Sequence, residues 1–175
     1  LKDVLAVWKK EGKTIIIAEH RLDWLSDLAD RVVYLKEGKI QGDFTGGKFF
    51  EKSNEALNLM GLRGIKKTWN YLSSNPGFFC IQPKAEEKNG CTETYELRNF
   101  TYRYEKGKES LHLSPLEIKK HSVVAVIGHN GAGKSTFLKC LCGIQRGFHG
   151  SVATGQKKYK GRNLRKLCYM VMQDV

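Results

Sequence analysis

A glycine-rich loop between a buried strand and a helix is the feature that most limits the fold of this chain. Ser122–Ile127 is a short apolar run rich in β-branched residues, which is typical of a strand buried on both faces of a parallel sheet. The loop Gly128–Thr136 follows, and a helix is predicted from Ser135 to Cys142, with Gly143 as its end. Strand, glycine loop and helix in this order predict an α/β fold.

The residue types of this loop are those that hold a polyphosphate. Gly131 and Gly133 let the backbone approach an anion closely, because they lack a Cβ. Successive backbone N–H groups and the positive end of the helix then face the phosphate oxygens. The Lys134 ammonium neutralises the β- and γ-phosphates, and the Ser135 hydroxyl is placed to ligate Mg²⁺. The alternative interpretation is a glycine-rich turn that binds nothing. The predicted nucleotide-binding set is Gly128, His129, Asn130, Gly131, Ala132, Gly133, Lys134, Ser135 and Thr136.

The charge of the chain is strongly positive, with 30 Lys and Arg against 18 Asp and Glu and a formal net charge of +12. Such an excess favours nucleotide phosphates, nucleic acid or an anionic membrane surface as partner, without choosing among them. No apolar run approaches the ~20 residues of a membrane-spanning helix, and no targeting segment is visible. The five cysteines include no CxxC pair, which indicates neither a disulfide framework nor a zinc site and favours a reducing cytosol.

The first 45 residues predict a second piece of α/β structure. Residues 1–12 have the apolar spacing of an amphipathic helix, and Thr14–Ala18 is another short β-branched run. Apolar residues recur at helical spacing over 22–30, which predicts a helix. Arg31–Leu35 and Ile40–Phe44 are predicted as strands joined by a hairpin turn.

The middle of the chain has a looser pattern. A helix ended by Gly61 or Gly64 is predicted within 51–62, but Ser73–Gly77 and residues 83–90 are turn and loop material, so the stretch 46–93 is interpreted as an interdomain connector. Beyond it, β-type residues recur over 95–104.

Three further segments complete the rear of the chain. Leu111–Ile118 predicts one extended segment, and Leu167–Met172 a final strand. The basic run 157–166 is interpreted as a solvated face, with contact to nucleic acid or lipid headgroups as the alternative.

Several of these strings resemble, in order and spacing, the amino-terminal half of an ATP-binding-cassette domain. The resemblance implies ATP and Mg²⁺ as cofactors. It also implies that Tyr104 stacks on adenine and that Gln173 contacts Mg²⁺ and responds to a membrane subunit. Tyr104 as one aromatic of a half-buried strand, and Gln173 as a surface residue, are the alternatives. The strings are Asn99–Tyr104, residues 119–127, the loop 128–136, Leu141–Gly143, residues 150–152 and residues 169–174.

Gly12–His20 and Ala29–Ile40 resemble the carboxyl-terminal half of the same family. His20 aligns there with the switch histidine that senses the γ-phosphate; capping the following helix or satisfying a local hydrogen bond is its alternative role. Because the two halves stand in reversed order, the simplest account is a tandem protein. Residues 1–45 would end a first cassette, 46–93 would connect, and 94–175 would begin a second cassette. The expected fold is that of P-loop NTPase half-domains, with a parallel sheet core and an antiparallel β subdomain.

The string Ala18–Leu25 is similar to the duplicated ATPases of energy-coupling-factor importers. This similarity implies an ATPase that energises an importer and works with transmembrane subunits and a second ATPase domain. The expected location is the cytoplasm, at the inner face of the cell membrane. A soluble tandem-cassette ATPase acting on ribosomes is the alternative. Nucleic acid is not expected as a partner, because the connector lacks a long Lys/Arg-rich helix.

Two motifs of the family are missing from the sequence: a strand-end acidic pair of Walker B type and a Leu-Ser-Gly-Gly-Gln-like signature. The chain itself is therefore expected to bind nucleotide weakly and to hydrolyse it poorly or not at all. By family geometry, His20 would serve the first cassette's nucleotide and Lys134 the second's. An alternative arrangement pairs Thr14–Ala18 with Val123–Ile127 in one permuted mini-cassette.

Overall fold

The computed structural model describes residues 2–20, 22–62, 93–104 and 109–171. The α-helices are α1 Lys2–Lys10, α2 Gly46–Phe50, α3 Asn54–Leu59 and α4 Lys134–Leu141, and a 3-10 helix spans Gly161–Lys166. The strands are β1 Ile15–Ala18, β2 Arg31–Lys36, β3 Lys39–Thr45, β4 Thr94–Arg103, β5 Glu109–Leu113, β6 Leu116–Lys119, β7 Val123–Ile127, β8 His149–Thr154 and β9 Lys157–Lys160. The predicted strands near the front and at β7 are confirmed within one or two residues.

Strands from both ends of the chain form one sheet, with the order β1-β7-β2-β3. β7 lies between β1 and β2 and is parallel to both, and β3 is antiparallel to β2. All five residues of β7 are 0 % exposed, as expected for a strand covered on both faces. The pairing of the front β-branched run with the strand before the glycine loop is thus confirmed, and β7 of the rear segment shares a sheet with β1, β2 and β3 of the front segment.

Several hydrogen bonds join the two segments where β7 begins, among them those of Asp30 and Thr14. Asp30 Oδ2 accepts from the Val123 amide at 2.8 Å, and the Asp30 amide donates to Val123 O at 2.9 Å. The Thr14 hydroxyl oxygen accepts from the His121 amide at 2.7 Å. These bonds fix the register of β7 against its neighbours. The position at which the loop leaves β7 is therefore fixed relative to the ends of β1 and β2.

A second, antiparallel sheet has the order β5-β4-β8-β9, and β6 also pairs with β4. The expectation of one extended segment over Leu111–Ile118 is wrong, because the chain breaks at Ser114–Pro115 into β5 and β6. Proline has no N–H to donate to a ladder and interrupts it. Both pieces remain paired with β4, so the segment still completes the antiparallel subdomain.

Two hydrophobic cores cover the two faces of the parallel sheet. One joins it to α4 and the antiparallel sheet, where the rings of Phe100 and Phe137 meet edge to face at 6.2 Å. The other includes Leu25, Phe49 and Leu57, all 0 % exposed. In the part of the chain that the structure describes, no helix is long and apolar enough to span a bilayer.

The predicted helix over 22–30 is wrong. Its leucines are buried as the spacing indicated, but the chain makes successive tight turns there, with Leu25 N donating to Leu22 O at 3.1 Å and Leu28 N to Leu25 O at 3.0 Å. Asp30, at the end of this segment, is bonded to Val123 of β7, and the chain reaches that bond through turns instead of a helix.

Two other segments differ from expectation in extent. The helix predicted within 51–62 is present only as α3, which begins after Ser53, whose hydroxyl accepts from Ala56 N at 3.2 Å. The strand predicted over 167–172 is wrong for residues 167–171, which are turn and coil. The amides of Leu167 and Cys168 instead donate to Leu164 O and so end the 3-10 helix.

Candidate phosphate-binding site

The glycine loop leaves the sheet at the carboxyl end of β7, close against β2. Gly128 has φ +154°, and a Cβ there would lie 2.2 Å from the carbonyl oxygen of Leu35. Gly133 caps α4 with φ +97°, in the left-handed region that favours glycine. The close approach and the left-handed cap both require glycine, so the loop conformation follows from the positions of its glycines.

The turn between β2 and β3 contacts the backbone of the glycine loop. Gly38 N donates to Ala132 O at 3.0 Å, and His112 N donates to Gly38 O at 2.8 Å. This turn therefore links the loop to the antiparallel sheet. Sequence reasoning predicted the turn but not its role as a support, because the contact joins residues that are far apart in the chain.

The backbone amides at the start of α4 fit a phosphate group. Among the described residues, no backbone carbonyl accepts from the amides of Gly131 or of residues 133–136. The first N–H groups of a helix have no partner within it and lie at its positive end. Ser135 is exposed here, at the second position of the helix, with its hydroxyl available as an oxygen ligand for Mg²⁺. The cluster can bind an anion such as a triphosphate.

Lys134 lies at the mouth of the loop. Its Nζ donates to Gly128 O at 2.6 Å and to His129 O at 2.9 Å, so the ammonium stays beside the loop backbone. Burial lowers the pKa of Lys134, and the nearby carboxylate of Glu19 acts in the opposite direction. A partly desolvated ammonium interacts more strongly with an anion than one in bulk water.

Glu19 and His20 lie at the same end of the sheet, because β1 is the parallel neighbour of β7. The Glu19 amide donates to Val126 O at 3.1 Å. Glu19 is 9 % exposed, and its Oε1 lies 2.8 Å from the His20 amide and 3.0 Å from His20 Nδ1. The structure thus brings His20 to the edge of the sheet that carries Lys134. Sequence reasoning passed over Glu19, although a carboxylate at the carboxyl end of a parallel strand was the available signal.

Tyr104 lies against the first turn of α4. Its hydroxyl is 2.8 Å from the Thr136 hydroxyl oxygen, and the Tyr102 ring meets it edge-on with centroids 4.8 Å apart. Tyr104 as a whole is 61 % exposed, so most of the ring remains open to a stacking partner. The adenine-stacking role stays a prediction. Gln173 lies outside the described residues.

A turn after α3 lies against the His129 side chain of the loop. The Tyr34 hydroxyl donates to Met60 O at 2.6 Å, which holds the turn in place. The next residue, Gly61, has φ +68°, and a Cβ there would lie 1.9 Å from His129 Nε2. Sequence reasoning treated Gly61 only as a helix end; no local signal marks its contact with the loop.

Replacing Gly61 by alanine is expected to lower the affinity for Mg²⁺-ATP about twofold, because the new methyl group displaces the exposed His129 ring, which can rotate away without moving the loop backbone. Isothermal titration calorimetry measures the affinity. Gly155→Ala is the matched control, since Gly155 also has positive φ, +53°, but no atom lies within 4 Å of its built Cβ. The double variant Gly61→Ala/His129→Ala should recover affinity. Equal affinities for Gly61→Ala and Gly155→Ala would rule out this support.

Comparison with known proteins gives a consistent picture of the chain. Residues 111–175 match the profile of the family described as ABC transporter. A protein of Treponema denticola named as an ABC transporter ATP-binding protein is 31 % identical over 175 residues, covering 100 % of this chain and 34 % of the relative. A Clostridium perfringens protein of the same description is 27 % identical over 192 residues, covering 91 % of this chain and 32 % of the relative. The chain spans about a third of the length of these curated relatives. No solved structure matches it.

Proposed function

Because this chain belongs to the ABC transporter family of ATPases, we propose that it is part of the ATP-binding component of an importer, in which ATP binding and hydrolysis drive transmembrane transport. The observation that carries the proposal is the geometry of the loop 128–136, where amides without backbone acceptors and the Lys134 ammonium converge beside the end of β7. This part of the chain is a P-loop NTPase fold with one defined phosphate site.

Each residue of the site has a role that follows from its position. The amides at the start of α4 bind phosphate oxygens, and Lys134 neutralises charge on the β- and γ-phosphates. Ser135 would hold Mg²⁺ through its hydroxyl. The bound ion would shield the negative charge of the β- and γ-phosphates. Tyr104 stacks on the adenine ring, and Thr136 fixes its hydroxyl. Gln173 is proposed as a further contact to Mg²⁺.

His20 is proposed as the group that senses the γ-phosphate. In this chain it stands at the same sheet edge as Lys134, because β1 and β7 are parallel neighbours, whereas in the proposed tandem protein it would serve the first cassette's nucleotide. The Glu19 carboxylate accepts from the His20 backbone amide and lies within 3.0 Å of its ring nitrogen, which fixes the orientation of the imidazole. Glu19 is thus a positioning residue for His20.

Hydrolysis, partners and location are proposals about the whole protein. We propose that it contains a second ATPase domain, binds transmembrane subunits and lies at the cytoplasmic face of the cell membrane. The importer assignment rests on the similarity of Ala18–Leu25 to the energy-coupling-factor group. In the proposed organisation, residues 1–45 close one cassette, 46–93 connect and 94–175 open the next.

The test is affinity purification of the full-length protein that contains this chain, from detergent-solubilised membranes and from a ribosome fraction in parallel. Recovery with membrane subunits, and ATP hydrolysis by that complex, is the expected result. The net charge of +12 favours the alternative, action on ribosomes. Recovery with ribosomal particles and not with membrane subunits would replace the importer assignment by that alternative.

A further inference from the structure

The charged side chains in a long stretch near the end of the chain are all positive. Residues 118–173 contain no Asp or Glu. Six cations of this stretch fall within ten residues: Lys157, Lys158, Lys160, Arg162, Arg165 and Lys166. The phosphate-binding loop uses none of these six, so their concentration calls for a separate explanation.

The fold gathers part of this charge around one cleft. β9 is the edge strand of the antiparallel sheet, and the 3-10 helix follows it directly and packs beside it. Between them lies a cleft of about 250 Å³ lined by Lys157, Lys158, Tyr159, Asn163 and Lys166, called here the basic cleft. Two separate elements thus contribute ammonium groups to one concavity.

The ammonium groups of the basic cleft have no compensating carboxylate. Within the described residues, three lysines of α1 and its following turn form ion pairs: Lys2 with Asp27 at 2.7 Å, Lys9 with Asp30 at 2.7 Å and Lys13 with Glu11 at 3.3 Å. No described carboxylate lies within ion-pair distance of Lys157, Lys158 or Lys166. Their mutual repulsion is therefore unrelieved within the described chain, which favours an anionic partner.

Protection of the sheet edge explains only part of this pattern. Lysines on an edge strand prevent pairing with another chain, and β9 is such a strand. Edge protection does not account for Asn163 and Lys166, which lie on the following helix and line the same cleft. An amide donor beside three ammonium groups is the arrangement that binds phosphate oxygens.

We propose that the basic cleft binds the phosphate headgroups of anionic phospholipids, so that the chain contacts the bilayer directly. Lysine is well suited to this role, since clustered lysines at an anionic leaflet each strengthen binding about fivefold. Binding of single-stranded nucleic acid uses exposed aromatic faces for base stacking, whereas Tyr159, the aromatic residue of the cleft, is half-buried. The inference rests on the proposed function only for its setting at a membrane.

The test is co-sedimentation of the chain with vesicles of phosphatidylcholine containing 30 mol % phosphatidylglycerol, compared with vesicles of phosphatidylcholine alone. The wild-type chain should bind the anionic vesicles and lose binding as salt is raised. The variant Lys157→Gln/Lys158→Gln/Lys166→Gln should bind about 100-fold more weakly, at about fivefold for each lysine. The variant Lys2→Gln/Lys10→Gln/Lys13→Gln removes the same charge from another region and should bind nearly as the wild type does.

Equal losses for the two triple variants would overturn the proposal, because net charge alone would then explain binding. Transfer RNA is added as a competitor at equal phosphate concentration. If it displaces the chain from anionic vesicles, and if only the cleft variant loses affinity for the RNA, the cleft is assigned to nucleic acid instead. Circular dichroism and Mg²⁺-ATP titration of each variant verify the fold. The Lys134→Ala variant should still bind vesicles although its ATP binding is weakened. A failure of the proposed ATP site can therefore be distinguished from a failure of the proposed lipid site.

Discussion

Replacing Lys134 by alanine is expected to lower the affinity of this chain for Mg²⁺-ATP by about 100-fold, since a charge-assisted contact to phosphate contributes about 1.5–3 kcal/mol and partial desolvation strengthens it. The effect is large because the Lys134 ammonium stands beside the loop backbone, held by the carbonyls of Gly128 and His129. Isothermal titration calorimetry with and without Mg²⁺ measures the change.

Lys139→Ala serves as the matched control for this experiment. Lys139 lies on the same helix, is also half-buried, and occupies its last turn instead of its first. Its replacement also removes one positive charge, but at a position distant from the loop. The affinity for Mg²⁺-ATP should therefore stay within about twofold of the wild-type value. A folded Lys134→Ala chain that binds ATP as tightly as Lys139→Ala would contradict the assignment of the site.

Replacing Phe137 by alanine is expected to destabilise the fold by about 3–5 kcal/mol, because it opens a cavity in the core beneath α4. Phe137 is 1 % exposed and meets the Phe100 ring at 6.2 Å, so its side chain joins α4 to the antiparallel sheet. The loss is a large part of the stability of an ordinary domain, about 5–15 kcal/mol. Urea unfolding followed by circular dichroism measures it.

Ile144→Ala is the control for Phe137→Ala. Ile144 lies just beyond the same helix but is 43 % exposed, so its truncation should change the free energy of unfolding by only about 0.5 kcal/mol. Equal shifts of the urea midpoint for the two variants would show that Phe137 does not anchor α4.

The phosphate loop could be predicted from sequence because its determinants are local. Gly128, Gly131 and Gly133 impose backbone conformations that neighbouring residues cannot override, and Lys134 and Ser135 follow at fixed spacing. The strand before the loop was equally clear, since a continuous β-branched run suits a buried strand in any arrangement. The match of residues 111–175 to the ABC transporter family agrees with this reasoning.

The features that sequence could not predict depend on contacts between distant residues. The leucines over 22–30 have helical spacing, yet Asp30 is bonded to β7 and turns replace the helix. The supports of the loop at Gly38 and Gly61 involve residues whose local pattern indicates only a turn and a helix end. The sheet partner of β7 was likewise open, because the same strands suit two separate cassettes or one shared sheet.

The placement of β7 between β1 and β2 also determines when this fold can assemble. Ile15 pairs with Val123, so the first strand has left the ribosome long before its partner is made. Closing so long a loop carries an entropic cost that is met before the sheet gains any stability, which slows folding. Within this chain, the loop at the end of β7 can therefore take its place only after β7 has joined β1 and β2, and until then these two front strands lack that partner.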